Sequence, residues 1–127
     1  MTDTAAARPN PVRFWIGWGL LLFLIAGLTL NHVVGLFRYR GALVERLTFP
    51  VFIALGLYAL AVLIWPYRSC ARWAWAVTWV FVAVTAVSFL FLEPAIGWFY
   101  VGGAAAMALG QLLTLPHFLR AGGVNVG

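Results

Sequence analysis

Four long apolar stretches separated by short polar breaks organise this chain. The first runs from Phe14 to Phe37 and ends at the charged segment RYRGALVER, residues 38–46. The second runs from about Leu47 to Trp65, with Pro50 near its start, where a missing N–H is tolerated. PYRSCAR, residues 66–72, makes the next turn. The third spans about Trp73 to Leu92 and stops at Glu93-Pro94. The fourth spans about Ala95 to Leu115, where Pro116 closes or kinks it. Each stretch is close to the ~20 residues that cross a hydrocarbon core about 30 Å thick.

Backbone groups in lipid must be satisfied internally, so these stretches predict helices. The alternation that a barrel strand requires is absent. Two of the links are very short, which makes consecutive helices antiparallel neighbours. The expected fold is therefore all-α: an integral membrane four-helix up-down bundle, with helices at about 14–37, 47–65, 73–92 and 95–115. A flexible tail over 1–12 precedes a single transmembrane domain over 13–120, and a short tail over 121–127 follows. The first stretch is too long for a signal-peptide core and has no A-x-A site, so it reads as retained.

Composition agrees with the pattern. The 127 residues are 65% apolar and 9% charged. A soluble domain averages about 45–50% and about 25%. The net charge of +5 comes from eight arginines against three acidic residues. They cluster at the ends of apolar segments and form no long basic block, so they read as interfacial anchors and topology signals, not as a nucleic-acid surface. Four crossings put both termini on one side. That side holds Arg8, Arg13, Arg68, Arg72 and Arg120, against Arg38, Arg40 and Arg46 on the other. The excess points to cytoplasmic termini, with an inverted or dual topology left open by the narrow margin. Trp15, Trp18, Trp65, Tyr67, Trp73, Trp75, Trp98 and Tyr100 fall near the expected interfaces as aromatic belts. The single cysteine, Cys70, excludes an internal disulfide. It reads as an incidental loop thiol; the alternative is a thiol whose pKa is lowered by its neighbours Arg68 and Arg72.

Polar positions inside the stretches are few, and such positions are the natural pointers to function. Helix 1 carries Asn31 and His32. Gly27, Asn31 and Gly35 share a face and predict a close-packed seam with an interhelical hydrogen bond. Thr78, Thr85 and Ser88 share a face of helix 3 and can bond their own backbone. Gly102, Ala106 and Gly110 form a small-residue packing ridge on helix 4, beside a mildly polar face of Tyr100, Gly103, Met107, Gln111 and Thr114.

Several chemistries do not fit. His32 and His117 fall near opposite ends of the bundle, roughly 25 Å apart at about 1.5 Å per residue, so they cannot share a haem. No HExxH or ExxH spacing joins His32 to Glu45 and Glu93, so no metal ligands are assigned. No acidic residue occupies a helix centre, unlike the small multidrug transporters. The asparagine-glycine spacing also departs from that of four-helix fluoride channels. What remains is a cluster at the outer end: Asn31, His32, Arg38, Arg40, Glu45, Arg46, Glu93 and Tyr100. One reading pairs the two glutamates with loop arginines. The other makes a shallow pocket for an amphiphile (a quinone, lipid or pigment) from Asn31, His32, Glu45, Glu93 and Tyr100. In it His32 is donor or base, Glu93 orients His32, and an arginine contacts an anion.

A first helix ending in Asn31-His32, an arginine-bearing loop and a small-rich last helix ending near Pro116 resemble the DoxX-like group of small four-helix membrane proteins. The likeness spans about residues 14–119. It implies a small membrane subunit or partner of a redox or quinone-linked system. Apart from that likeness, the short loops, the lack of any soluble domain, the glycine ridge and the aromatic flanks lead to the expected role: a non-enzymatic accessory subunit, in contact with membrane lipids and packing on a larger membrane complex or on itself. The alternative is an amphiphile binder or enzyme at the outer cluster.

Overall fold

The computed structural model describes residues 10–121. They form four helices: α1 (Pro11–Arg38), α2 (Leu43–Ile64), α3 (Arg72–Val87) and α4 (Pro94–Ala121). A short 3-10 turn, Ser88–Phe91, extends α3. No strand occurs among the described residues. Each of the four spans is long and apolar enough to cross a membrane, counting α3 with its 3-10 extension.

The helices pack in a ring. α1 lies between α2 and α4, α3 lies against α4, and α2 and α3 meet least. Many large apolar side chains point outward: Phe23 is 76% exposed and Trp65 83%. A water-soluble bundle would bury such side chains. α1 buries Phe14, Gly17, Leu21, Ile25, Thr29 and His32, a stripe at spacings of three and four. Its backbone meets that of α4 at two glycines. A Cβ built on Gly17 would stand 2.7 Å from the Gly110 carbonyl oxygen, so only glycine permits this crossing.

The helix ends differ from the sequence expectation, each for a local reason. α1 begins at Pro11 because the Asn10 side chain caps it, accepting from the Val12 N–H at 3.0 Å, and proline suits the first turn. Hence the last residues of the expected tail are helical, while positions 1–9 and 122–127, including Arg8, lie outside the described residues. α2 begins at Leu43, which leaves Pro50 inside it. Glu45 in the first turn complements the helix dipole there. α3 gives way to the tighter turn at Ser88, whose hydroxyl bonds the Val84 carbonyl at 2.9 Å and competes with the backbone ladder.

α4 continues past Pro116 to Ala121. Two interactions hold this last turn. Arg72 donates from Nε to the Phe118 carbonyl and from a terminal nitrogen to the Leu119 carbonyl, both at 3.3 Å. These are carbonyls that a helix end leaves unpaired. Phe118 is itself buried, with its ring against Tyr67 at 4.8 Å between centroids.

Tyr67 is not an interfacial belt residue. It is fully buried at the end of the bundle nearest the termini. Its hydroxyl donates to Gln111 Oε1 at 2.6 Å and lies 2.6 Å from Thr114 Oγ1. Trp75 and Gln111 brace α3 to α4 through reciprocal bonds of 3.1 Å between each side chain and the other's carbonyl. Burial raises the Tyr67 phenol's proton affinity, keeping it neutral as a donor. Arg68 stacks over Trp15 and Trp18, 5.6 Å from each ring centroid. Cys70 is half-buried in the same turn, and burial pushes its thiol up, opposite to the expected effect of Arg68 and Arg72.

Candidate functional site

At the opposite end, away from the termini, lies an open cleft of about 640 Å³. The ring arrangement creates it. The α1–α2 loop lies on one side, and the 3-10 turn with the start of α4 on the other. Asn31, His32, Glu45, Glu93 and Tyr100 all line this cleft. They come from three separate helices and the link before α4. Tyr39, Thr48, Phe49, Phe52, Ser88 and Phe91 complete most of the wall.

His32 sits at its floor, 6% exposed. Its Nδ1 lies 2.7 Å from the Leu28 carbonyl oxygen, one turn back along α1. A carbonyl can only accept, so the neutral ring carries its hydrogen on Nδ1. Nε2 is then an acceptor and receives the Tyr100 hydroxyl hydrogen at 3.1 Å. The ring stacks on Phe52 at 4.9 Å between centroids, with 15° between planes. His32 is therefore oriented by Leu28, Tyr100 and Phe52, not by Glu93. Both its nitrogens are engaged.

The expected partners of the carboxylates also change. Glu45 receives a hydrogen bond from the Tyr39 hydroxyl, which ties the α1–α2 loop to α2. Glu93 precedes α4, and its backbone carbonyl accepts from the Gly97 N–H at 2.8 Å. Arg38, Arg40 and Arg46 do not line the cleft, so no guanidinium is placed in its wall as an anion contact. Among the described residues, no three His, Cys, Asp or Glu side chains come together as a metal site would require.

A second groove of about 430 Å³ runs along α1 and α4. Asn31 and Tyr100 line both spaces, so the cleft and this apolar groove lie side by side. Gly27 and Gly103 line the groove, and neither has an atom within 4 Å of where a Cβ would stand. The expected seam of Gly27, Asn31 and Gly35 thus does not form as a unit. Asn31 is exposed, Gly27 faces the groove, and Gly35 alone packs, against Phe49. The helix 4 ridge divides as well. Gly110 seats on Leu21 and Gly17 of α1, whereas Gly102 is exposed with open space beside it and Ala106 lies between. Thr78, Thr85 and Ser88 each bond the carbonyl four residues back, at 2.8–2.9 Å.

His117 is at the other end, its ring 5.0 Å from that of Phe14 near the start of α1. It cannot act with His32. Its Nδ1 is buried without a hydrogen-bond partner. Sequence reasoning missed Phe52, Tyr39 and Tyr67. Phe52 and Tyr39 gave no signal beyond an ordinary aromatic near a helix end. For Tyr67 the polar pair Gln111 and Thr114 was a signal that a buried partner was needed. The four-helix layout that carried the DoxX-like resemblance is present, but compared with family models, curated proteins and solved structures the chain gives no match.

Proposed function

We propose that this chain is a membrane-embedded binding protein for an amphiphile: a lipid, quinone or pigment. The head occupies the cleft over His32 and Tyr100. The tail lies in the groove between α1 and α4. One observation carries the reading: a cleft of about 640 Å³ bearing polar groups adjoins an apolar groove of about 430 Å³, with Asn31 and Tyr100 in the walls of both. A few polar groups converging on an otherwise apolar concavity are the common form of a small-molecule site. A catalytic role for His32 draws less support, because both ring nitrogens already have partners.

Gly27→Leu tests the reading. A Cβ built on Gly27 meets nothing within 4 Å, and Gly27 lines the groove, so a side chain there takes up groove space; an unchanged unfolding curve checks that the bundle is kept. Native mass spectrometry of gently extracted wild-type chain should show a discrete bound amphiphile that the variant lacks. Equal bound mass in both would refute the proposal.

An accessory-subunit role has one observation in its favour. Gly102 is exposed on α4 with nothing within 4 Å, which leaves room for another helix to approach closely. Under the DoxX-like resemblance that partner would belong to a redox or quinone-linked system. Gly102→Leu would then abolish co-purification with it while leaving amphiphile retention intact.

A further inference from the structure

We propose that the head held in the cleft is a primary ammonium group. This rests on the amphiphile reading above and narrows it. The argument is a count of donors and acceptors in the wall. Every hydroxyl hydrogen lining the cleft is already committed. Tyr39 donates to the Glu45 carboxylate. Thr48 donates to the Glu45 carbonyl at 2.6 Å. Ser88 donates to the Val84 carbonyl, and Tyr100 donates to His32 Nε2. His32 spends its own hydrogen on Leu28.

Only the Asn31 amide keeps free donor capacity among the side chains of this wall. The unused capacity is otherwise for accepting. It consists of the lone pairs on the Tyr39, Thr48, Ser88 and Tyr100 oxygens, together with the carboxylates of Glu45 and Glu93. Among the side chains of the wall, a ligand that only accepts, such as a quinone carbonyl or a phosphate, would find a single amide to meet it. A ligand that brings N–H groups would find acceptors all round.

Charge and shape point the same way. The two carboxylates are the charged side chains of the wall, and the three nearby arginines lie outside it. Tyr39, Phe49, Phe52, Phe91 and Tyr100 add five aromatic rings, whose faces attract cations. A protonated primary amine satisfies all three conditions at once. Its alkyl tail continues past Tyr100 into the groove along Gly27 and Gly103.

The test uses the full chain in phosphatidylcholine nanodiscs, a lipid without N–H groups. Separate samples are doped with dodecylamine, dodecanol, dodecyl phosphate or a short-tailed phosphatidylethanolamine. Native mass spectrometry then counts the molecules retained on the released chain. Dodecylamine should be retained roughly tenfold better than dodecanol, the scale of a charge-assisted hydrogen bond over a neutral one. Glu45→Gln and Glu93→Gln should each lower amine retention roughly two- to fivefold, as expected for an exposed charge contact, and leave dodecanol unchanged. Added salt should weaken amine retention in the wild-type chain, a readout that needs no variant. Retention of the ethanolamine lipid alongside the amine would identify a membrane lipid as the source; amine alone would identify a free amphiphilic base. Both outcomes uphold the assignment. Equal retention of amine and alcohol, or preference for the phosphate, would overturn it while the amphiphile reading stands. Retention of none of the four would overturn both.

Discussion

Removing one oxygen from Tyr67 should loosen the bundle at the end opposite the cleft. Tyr67 has no exposed surface, and neither do Gln111 and Thr114, the two side chains its hydroxyl reaches. The Tyr67 hydrogen goes to Gln111 Oε1 at 2.6 Å, because a carbonyl oxygen cannot donate. In Tyr67→Phe the ring and its packing on Phe118 are kept. Thr114 keeps a partner in the Gln111 carbonyl at 2.9 Å. Gln111 Oε1 alone is stranded. Leaving one buried polar group unpaired costs about 1–3 kcal/mol. Hydrogen bonds within membrane bundles average nearer ~0.6 kcal/mol. The complete burial of all three groups argues for a value between these, about 1–2 kcal/mol. Equilibrium unfolding in mixed micelles, followed by tryptophan fluorescence, measures it, and Trp75 beside Gln111 reports locally. Adding Gln111→Leu removes the stranded oxygen but also the Gln111 bond to the Trp75 carbonyl, so in a double-mutant cycle the double variant should lose less than the sum of the two single losses. A Tyr67→Phe variant within about 0.3 kcal/mol of wild type would refute the accounting, since independent-site error is about that size.

Other outcomes follow from single positions. Gly17→Ala should cost about 2–3 kcal/mol, because its Cβ would press on the Gly110 carbonyl at 2.7 Å and on Leu113 and Thr114 at 2.9 Å, and backbone cannot step aside cheaply. Gly102→Ala, with nothing nearby, should instead stabilise α4 by about 0.5–1 kcal/mol through helix propensity; paired unfolding curves of the two variants check both signs. Cys70 holds a backbone φ of 57°, left-handed for a residue with a Cβ, so Cys70→Gly should stabilise the turn by about 0.5–1 kcal/mol in the same assay. Burial raises the Cys70 thiol above its reference value of 9.0, so the neutral form is the one the fold favours. Stability from that preference is complete below pH 9.0 and declines as pH rises through the higher folded value. Maleimide labelling at neutral pH should accordingly be slower than for an exposed thiol, and labelling at the exposed rate would contradict the burial.

The four spans were legible because polar residues interrupt long apolar runs, a pattern that survives any detail of packing. Their ends were not. Leu43 to Arg46 carry charge and were read as loop, yet a helix can protrude from the apolar layer and keep charged side chains in water. The sequence leaves Pro116 as either a stop or a kink; a proline removes one hydrogen bond, and Arg72 with buried Phe118 holds the turn beyond it. The second depends on contacts between segments far apart in sequence, which periodicity does not encode.

The cleft shows the same division more sharply. Asn31, His32, Glu45, Glu93 and Tyr100 stood out in the sequence because polar residues are scarce at membrane depth. What each could offer a ligand was not visible, because composition counts groups while chemistry depends on which hydrogens are already spent. His32 reads from sequence as a free donor or base. One carbonyl in its own helix, that of Leu28, fixes its hydrogen on Nδ1, and that choice makes Tyr100 the donor between them. The Tyr100 oxygen is thereby left facing the cleft as an acceptor. A single intrahelical hydrogen bond therefore inverts the chemistry of the site floor. The proposed ammonium ligand is matched to that inversion together with the two carboxylates of the wall, more than to the presence of a histidine.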